Sequence, residues 1–510
     1  YLILTPLTLN AQSLSVVDIE SLKPIPYASV EIYEMQIQSY CDINGTYEIG
    51  YLSNTTPVII SANGYKPTSF IYKADDTNSY NIKLEKSHIF LNEIVVSPTT
   101  GLVQKNNLTN VTLKKINQAD QIMAPNLMEL ITTVPGVYSI NTGSSISKPV
   151  IRGLSGLKVV TFLNGLRIEN QQWANDHGLN FTDMGIKSIE IVKGPSSLLY
   201  GADALGGVLY FTDEDYLPPN SFNSSFETRF ESNSMSSFNI ARIKLATEKI
   251  RLNIYAGYKS AAEYQIPDGE FVKNSSYNRK SLKASLGYNK NNWILNLRYN
   301  YNSNENGLPG HTHSLNPSPE EFLLETQHRE RILPLQLIED HYLSIENKLI
   351  LSNQSVIKFN TGFTSNSITE FEEKVTIPGI SMLLNNIPYN FSFTSYVNEN
   401  IKWISGIQGM LTKNSNDESA ESSLIPNASS YDIGSYSLLQ YSKSQFETQI
   451  GLRYDIREID AGDLLSKNFS KLNGSFGLVF QKGLYTLRTN FSSGFRPPHL
   501  SEMLSYGVHH

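Results

Sequence analysis

The chain has one cysteine, Cys41. It can therefore form no disulfide within itself and no thiolate metal site, and Cys41 reads as a small buried hydrophobe. Nowhere do about 18 apolar residues follow one another, which excludes a helical membrane span. A transmembrane β-barrel escapes that test, because its strands alternate apolar and polar residues. Charged residues make up only 17% of the chain, and their balance is acidic, with a net charge of −7. That excludes a nucleic-acid partner. Common catalytic motifs are missing as well. There is no HExxH and no GxSxG, and Gly201-x-x-x-x-Gly206-Gly207 lacks the Lys-Ser/Thr pair that phosphate binding needs. The chain does not read as an enzyme.

What it does have is length, aromatic residues and short β-branched runs. At 510 residues it exceeds one ordinary domain, so two or three units are expected. Its 29 Tyr and 22 Phe are the stock that outer-membrane barrels place at membrane interfaces, although large secreted sandwiches are aromatic too. The most informative stretch runs from Val150 to Phe211. In it Val159 to Phe162, Ile189 to Val192 and Val208 to Phe211 alternate with glycine-rich turns. Glycine takes positive φ without penalty, so a compact domain of strands joined by tight turns is predicted.

The order of motifs in that stretch resembles the plug domain of TonB-dependent outer-membrane receptors. Arg152-Gly153 comes first, then a strand ending in Asn164-Gly165-Leu166-Arg167, then IEIVKGPSSLLYGADALGGVL from Ile189. The resemblance implies a plug over 108–215, whose first half carries a helix at Ala124–Ile131 with Pro125 in its first turn. Gly494-Phe495-Arg496-Pro497-Pro498-His499-Leu500-Ser501-Glu502 resembles a segment of the same family's barrels, with Pro498 and His499 as departures. Arg152 and Glu190, on plug strands, are candidates for the ion pairs that seat the plug against the barrel wall.

From 222 to 510 the hydrophobic period is two. Trp293, Leu295, Leu297, Tyr299 and Tyr301 alternate with Ile294, Asn296, Arg298 and Asn300. A soluble sandwich gives the same alternation. Short turns such as 289–292 set against long polar segments such as 303–340 and 413–432 favour an outer-membrane barrel. A plugged barrel of this class has about 22 strands, and 222–510 holds half to two-thirds of them. The fold class expected is mainly β: a small β-sandwich, an α+β plug and a partial transmembrane antiparallel barrel.

Ahead of the plug, residues 13–88 alternate short strand-like runs with turns, and Asn44-Gly45 signals a hairpin. The pattern of Pro26 to Val30, Asp42 to Tyr47 and Ser61 to Tyr65 resembles the carboxypeptidase regulatory-like domain, a non-catalytic sandwich. Residues 1–12, ending Leu9-Asn10-Ala11-Gln12, read as the back half of a secretory signal, and the far end stops without a closing strand, so the chain reads as a fragment. Between sandwich and plug lies Leu91-Asn92-Glu93-Ile94-Val95-Val96-Ser97. Its position resembles the TonB box, a β-branched peptide whose free backbone groups add a strand to the energy-coupling protein in the periplasm. The plainer reading is a last strand of the sandwich.

Asp176-His177 in the plug and His311-x-His313 in a long outer loop bring imidazole and carboxylate together, the donor set of a divalent metal. A plug apex bearing Asp-His under a histidine-bearing loop resembles the zinc-importing branch of the family. That implies Asp176, His177, His311 and His313 as ligands of transported zinc. Surface histidines commonly bind nothing, and an iron complex (haem or a ferric siderophore) or a vitamin is the rival cargo. No resident cofactor is expected. The partners implied are TonB with its inner-membrane energising complex, the lipid bilayer and the cargo, and the location is the outer membrane of a Gram-negative bacterium. A secreted adhesin and a signalling receptor are the other classes open to such a chain.

Overall fold

The computed structural model describes residues 12–505, apart from 33–36, 50–55, 63–64, 66, 73–78, 87–110, 117–120, 122–123, 125, 173, 175–176, 194–196, 291, 311–315, 352–354, 399, 444 and 483–484. Three β assemblies follow one another.

The first has seven short strands: β1 (Gln12–Asp18), β2 (Ser29–Ile32), β3 (Ile37–Tyr40), β4 (Thr46–Ile49), β5 (Thr56–Ser61), β6 (Thr68–Tyr72) and β7 (Tyr80–Leu84). They form two sheets, β4-β1-β7 and β3-β2-β5-β6. Alternate residues such as Leu14, Val16, Val30, Val58, Ile60 and Leu84 are fully buried between them. The Asn44-Gly45 turn differs from the hairpin expected, since β3 and β4 belong to different sheets. Val16 N–H donates to the Gly45 carbonyl at 2.8 Å, so the turn docks on β1 rather than folding β4 back on β3.

The second assembly comprises β8 (Val111–Lys115), α1 (Leu127–Ile131), β9 (Val137–Thr142), β10 (Ile146–Ile151), β11 (Leu154–Ser155), β12 (Val159–Leu163), β13 (Leu166–Ile168), β14 (Ile186–Lys193), α2 (Ser197–Tyr200) and β15 (Gly207–Asp213). The three β-branched runs become β12, β14 and β15, the middle of a five-stranded sheet ordered β13-β12-β15-β14-β8. Both faces of β12 and β15 are buried, which is why they read as continuous apolar runs rather than alternating ones. Helix α1 starts after Asn126, whose side chain accepts from Glu129 N–H at 2.9 Å. Pro125, expected in the first turn, lies outside the described residues, and α1 buries Leu127, Met128, Leu130 and Ile131 against the sheet.

The third assembly is β16 (Ser221–Glu231), β17 (Ser236–Ala246), β18 (Ile250–Ala261), β19 (Phe271–Val272), β20 (Tyr277–Lys290), β21 (Trp293–Gly307), β22 (Leu323–Leu324), β23 (Leu335–Ile350), β24 (Val356–Phe371), β25 (Ile380–Asn398), β26 (Ile401–Asn416), β27 (Ala428–Lys443), β28 (Phe446–Asp460), β29 (Ser466–Lys482) and β30 (Tyr485–Ser492), then α3 (Leu500–Leu504). Leaving out the short β19–β22 pair, these strands make one 13-stranded sheet in which each long strand lies antiparallel to the next. Its polarity is inverted relative to a soluble sheet. Leu297, Phe359, Phe363, Leu439 and Leu452 are exposed, while Asn302, Asn306, Asp340, Asn366 and Arg453 are buried. An apolar exterior over a polar interior is the arrangement of a membrane barrel, and it removes the soluble-sandwich alternative that periodicity left open. Turns at one end, such as 247–249 and 291–292, are short, and connections at the other end are long. The long loops are shorter than expected, at 308–334 and 417–427. Asn304 and Asn306 read as loop because they are polar, but they are buried strand residues facing the interior.

Candidate functional site

The plug meets the concave face of the sheet through polar side chains. Between β12 and β13, Asn164 (φ 49°) and Gly165 (φ 88°) make a tight turn, the left-handed pair that two-residue hairpins need. It turns β13 so that Arg167 reaches Glu169 at 2.7 Å and Asp203 at 2.9 Å. Asp203 also accepts from Arg457 of β28 at 2.7 Å, and Arg457 is paired with Asp432 of β27. His499 Nε2 lies 2.9 Å from Glu169. Burial pushes the Glu169 and Asp203 carboxyls up. The guanidiniums of Arg167 and Arg457, with His499 beside Glu169, more than offset it and hold both below the usual carboxylate range. The two motifs of the family resemblance meet here. Asp203 N–H donates to the Phe495 carbonyl at 3.1 Å, so the glycine-rich plug loop binds the segment after β30. Gly206 and Gly207 allow this loop its path: a Cβ at Gly206 would lie 2.6 Å from the Lys158 carbonyl oxygen, and Gly207 has φ 149°.

Toward the long loops, the described residues 170–172, 174 and 177–180 form the plug apex. Gly178 lets the loop press onto β10, since a Cβ there would meet Ser147 backbone at 2.7 Å. This places His177 at 1% exposure. Its Nδ1 lies 2.9 Å from the Gln171 carbonyl oxygen, and its Nε2 lies 3.2 Å from Glu370 Oε1 on β24. Gln336 of β23 donates to the same carboxylate at 2.7 Å. A carbonyl can only accept, so Nδ1 carries a proton, and Nε2 faces the carboxylate. An imidazole oriented by a carbonyl, with a carboxylate beside its second nitrogen, joins two donor types that divalent cations take. Beside it, Asp340 accepts from Asn180 at 2.5 Å and from Asn366 at 2.6 Å.

Toward the short turns, Asp213 pairs with Lys283 at 2.5 Å, and Glu214 with Lys244 at 2.5 Å. Asp183 pairs with Arg229 at 2.7 Å.

Of the residues singled out from sequence, His177 is the one placed at the plug–wall contact. Asp176, His311, His313 and all of Leu91 to Ser97 lie outside the described residues. Among the described residues no group of three or more His, Cys, Asp and Glu side chains gathers to hold a metal ion. Arg152 is exposed in the turn between β10 and β11. Glu190 is buried within the plug sheet, opposite Tyr210 of β15 and Leu113 of β8. The plug–wall ion pairs described here run through Asp183, Asp203, Asp213 and Glu214. Sequence reading passed over them because no local pattern marks an acid that meets a barrel arginine or lysine. Glu370 was missed for the same reason, since it follows the polar alternation of β24 with nothing to distinguish it.

Comparison with known proteins agrees with this architecture. Family models match in three places: CarboxypepD_reg-like domain over 15–96, TonB-dependent Receptor Plug Domain over 104–208, and TonB dependent receptor-like, beta-barrel over 169–509. The chain is 25% identical over 181 residues to the vitamin B12 transporter BtuB of Vibrio vulnificus, covering 35% of this chain and 29% of that protein. It is 41% identical over 88 residues to the heme/hemopexin utilization protein C of Haemophilus influenzae, covering 17% of this chain and 12% of the relative. The FrpB iron transporter from Neisseria meningitidis superposes with a TM-score of 0.66 at 14% identity, over 77% of this chain and 65% of that one. At that identity the likeness is one of fold. The chain spans less than two thirds of each of these proteins.

Proposed function

The chain belongs to the TonB-dependent receptors of the outer membrane, and from that premise we propose that it imports a scarce nutrient, with zinc as the favoured cargo. Membership of that family sets it among transporters rather than enzymes. Import of this kind needs no covalent chemistry. Cargo binds between the outer loops and the plug apex. TonB then captures 91–97 by strand addition, and force drawn from the inner-membrane proton gradient shifts the plug to open a path.

The observation that carries the zinc reading is the His177–Glu370 contact, an imidazole Nε2 and a carboxylate 3.2 Å apart at the plug apex. Asp176, adjacent in sequence, and His311 or His313 in the loop above would complete about four ligands. Glu370 enters this set from the barrel, so cargo would bridge plug and wall. The test is a zinc titration of the full-length receptor, comparing wild type with His177→Ala/His311→Ala and with Glu370→Gln. Zinc affinity should fall about 10–100-fold in each variant. Equal affinity in all three would remove the metal reading.

In that case an organic cargo takes its place. The relatives' own names support this second reading, since they describe a vitamin B12 transporter, a heme/hemopexin utilization protein and a hemin receptor.

A further inference from the structure

The N-terminal sandwich does not stand apart from the barrel. At the short-turn end, Ile350 and Val356, on either side of the β23–β24 turn, are part of the sandwich's own apolar cluster, and Ile294 and Tyr396 pack against it. The Tyr40 hydroxyl donates to the Tyr216 carbonyl at 3.0 Å. Tyr216 lies in the 214–220 link between plug and barrel. The Arg251 guanidinium of β18 sits 5.1 Å from the centre of the Tyr40 ring, a cation–π distance. Burial, with Asp215 nearby, pushes the Tyr40 phenol up, in keeping with a side chain held in an interface.

Three of the residues this sandwich touches line a polar cavity. Between the end of β15 and the wall of β18, β20, β21 and β23 lies an open space walled by Asp213, Tyr216, Arg251, Ile294, Arg298 and Glu346. Tyr216, Arg251 and Ile294 are thus shared between cavity wall and sandwich contact. The Tyr216 ring lies against Gly287, where a Cβ would come within 2.9 Å of it. The sandwich is therefore seated on three residues of the cavity wall at the short-turn end.

We propose that the N-terminal sandwich is a lid on the periplasmic mouth of this cavity, latched by Tyr40 on Tyr216 and Arg251, and that it lifts for cargo to leave. The role as an exit rests on the import reading. The segment 85–110 joins β7 of the sandwich to β8, the edge strand of the plug sheet. A pull applied between them acts on lid and plug together.

The test reads access to the cavity directly. Ser285 lines it and is 8% exposed, so Ser285→Cys in the full-length receptor in lipid nanodiscs is the reporter for a membrane-impermeant maleimide. The natural Cys41, 1% exposed, is corrected for with receptor lacking the reporter. Tyr40→Ala, from the lid side, and Arg251→Gln, from the barrel side, should each speed labelling. Tyr40→Ala removes both a hydrogen bond and the cation–π contact and should do so roughly tenfold. An unchanged rate in both variants overturns the lid. An equal acceleration at Ser144→Cys, at the far end of the plug, would mean general loosening and would overturn it too. Cargo plays no part in this readout, so its failure leaves the import reading standing, and loss of the import reading leaves the lid testable.

Discussion

Arg457 and Asp203 join residues 254 positions apart, and their meeting explains why the plug stays seated. Glu169 and Asp203 are carboxylates held down by buried guanidiniums. A carboxyl whose folded pKa is lowered stabilises the fold fully above its unfolded value, near 4, and loses that contribution as pH falls toward the folded value. The melting temperature of the detergent-solubilised receptor should therefore stay level from pH 7 to about 5 and drop below about 4. A decline already complete by pH 6 would show that these two carboxylates do not seat the plug. Glycine placement was readable at this scale, because Gly165 and Gly207 sit at positive φ in motifs that demand it. His177 was singled out in sequence as half of an Asp-His pair. Glu370 was not, because a carboxylate's partner across 193 residues leaves no trace in local pattern.

At the scale of elements, period-two alternation located the strands but could not say which face meets water. In β21 the apolar Leu297 is 40% exposed while Asn300 and Asn302 are 7% and 5% exposed, and that inversion assigns the outer face to lipid. A charge placed there should be costly. Leu297→Arg, in mid-strand opposite Ile345 and Leu286, should destabilise insertion by about 2–4 kcal/mol. Asn300→Gln, on the inner face, should leave insertion unchanged. Folding yield into lipid vesicles, read by the gel-mobility shift of heated against unheated samples, measures both. Comparable losses in the two variants would contradict the assignment of faces. Strand ends were misread where asparagines line the interior, since 304 and 306 look like loop until their burial is known. Asn44-Gly45 misled for a related reason: a tight turn fixes a reversal of the chain, not the sheet that the next strand joins.

On the scale of the whole molecule, three β assemblies act along one line. The sandwich packs on the short-turn end of the wall, the plug meets the concave face, and His177 lies at the apex against Glu370. Most of this order was legible, because each unit carries a motif set within a continuous stretch. The docking of the sandwich on the barrel was not, since Tyr40 and Arg251 are ordinary residues until the fold brings them together. Between sandwich and plug lies 91–97, the segment on which the import account turns. The most direct measurement is zinc uptake by cells carrying the full-length receptor with and without 91–97, with surface binding followed in parallel. The account predicts that the deletion abolishes uptake and leaves binding at its original level. Uptake that continues at the undeleted rate would contradict it.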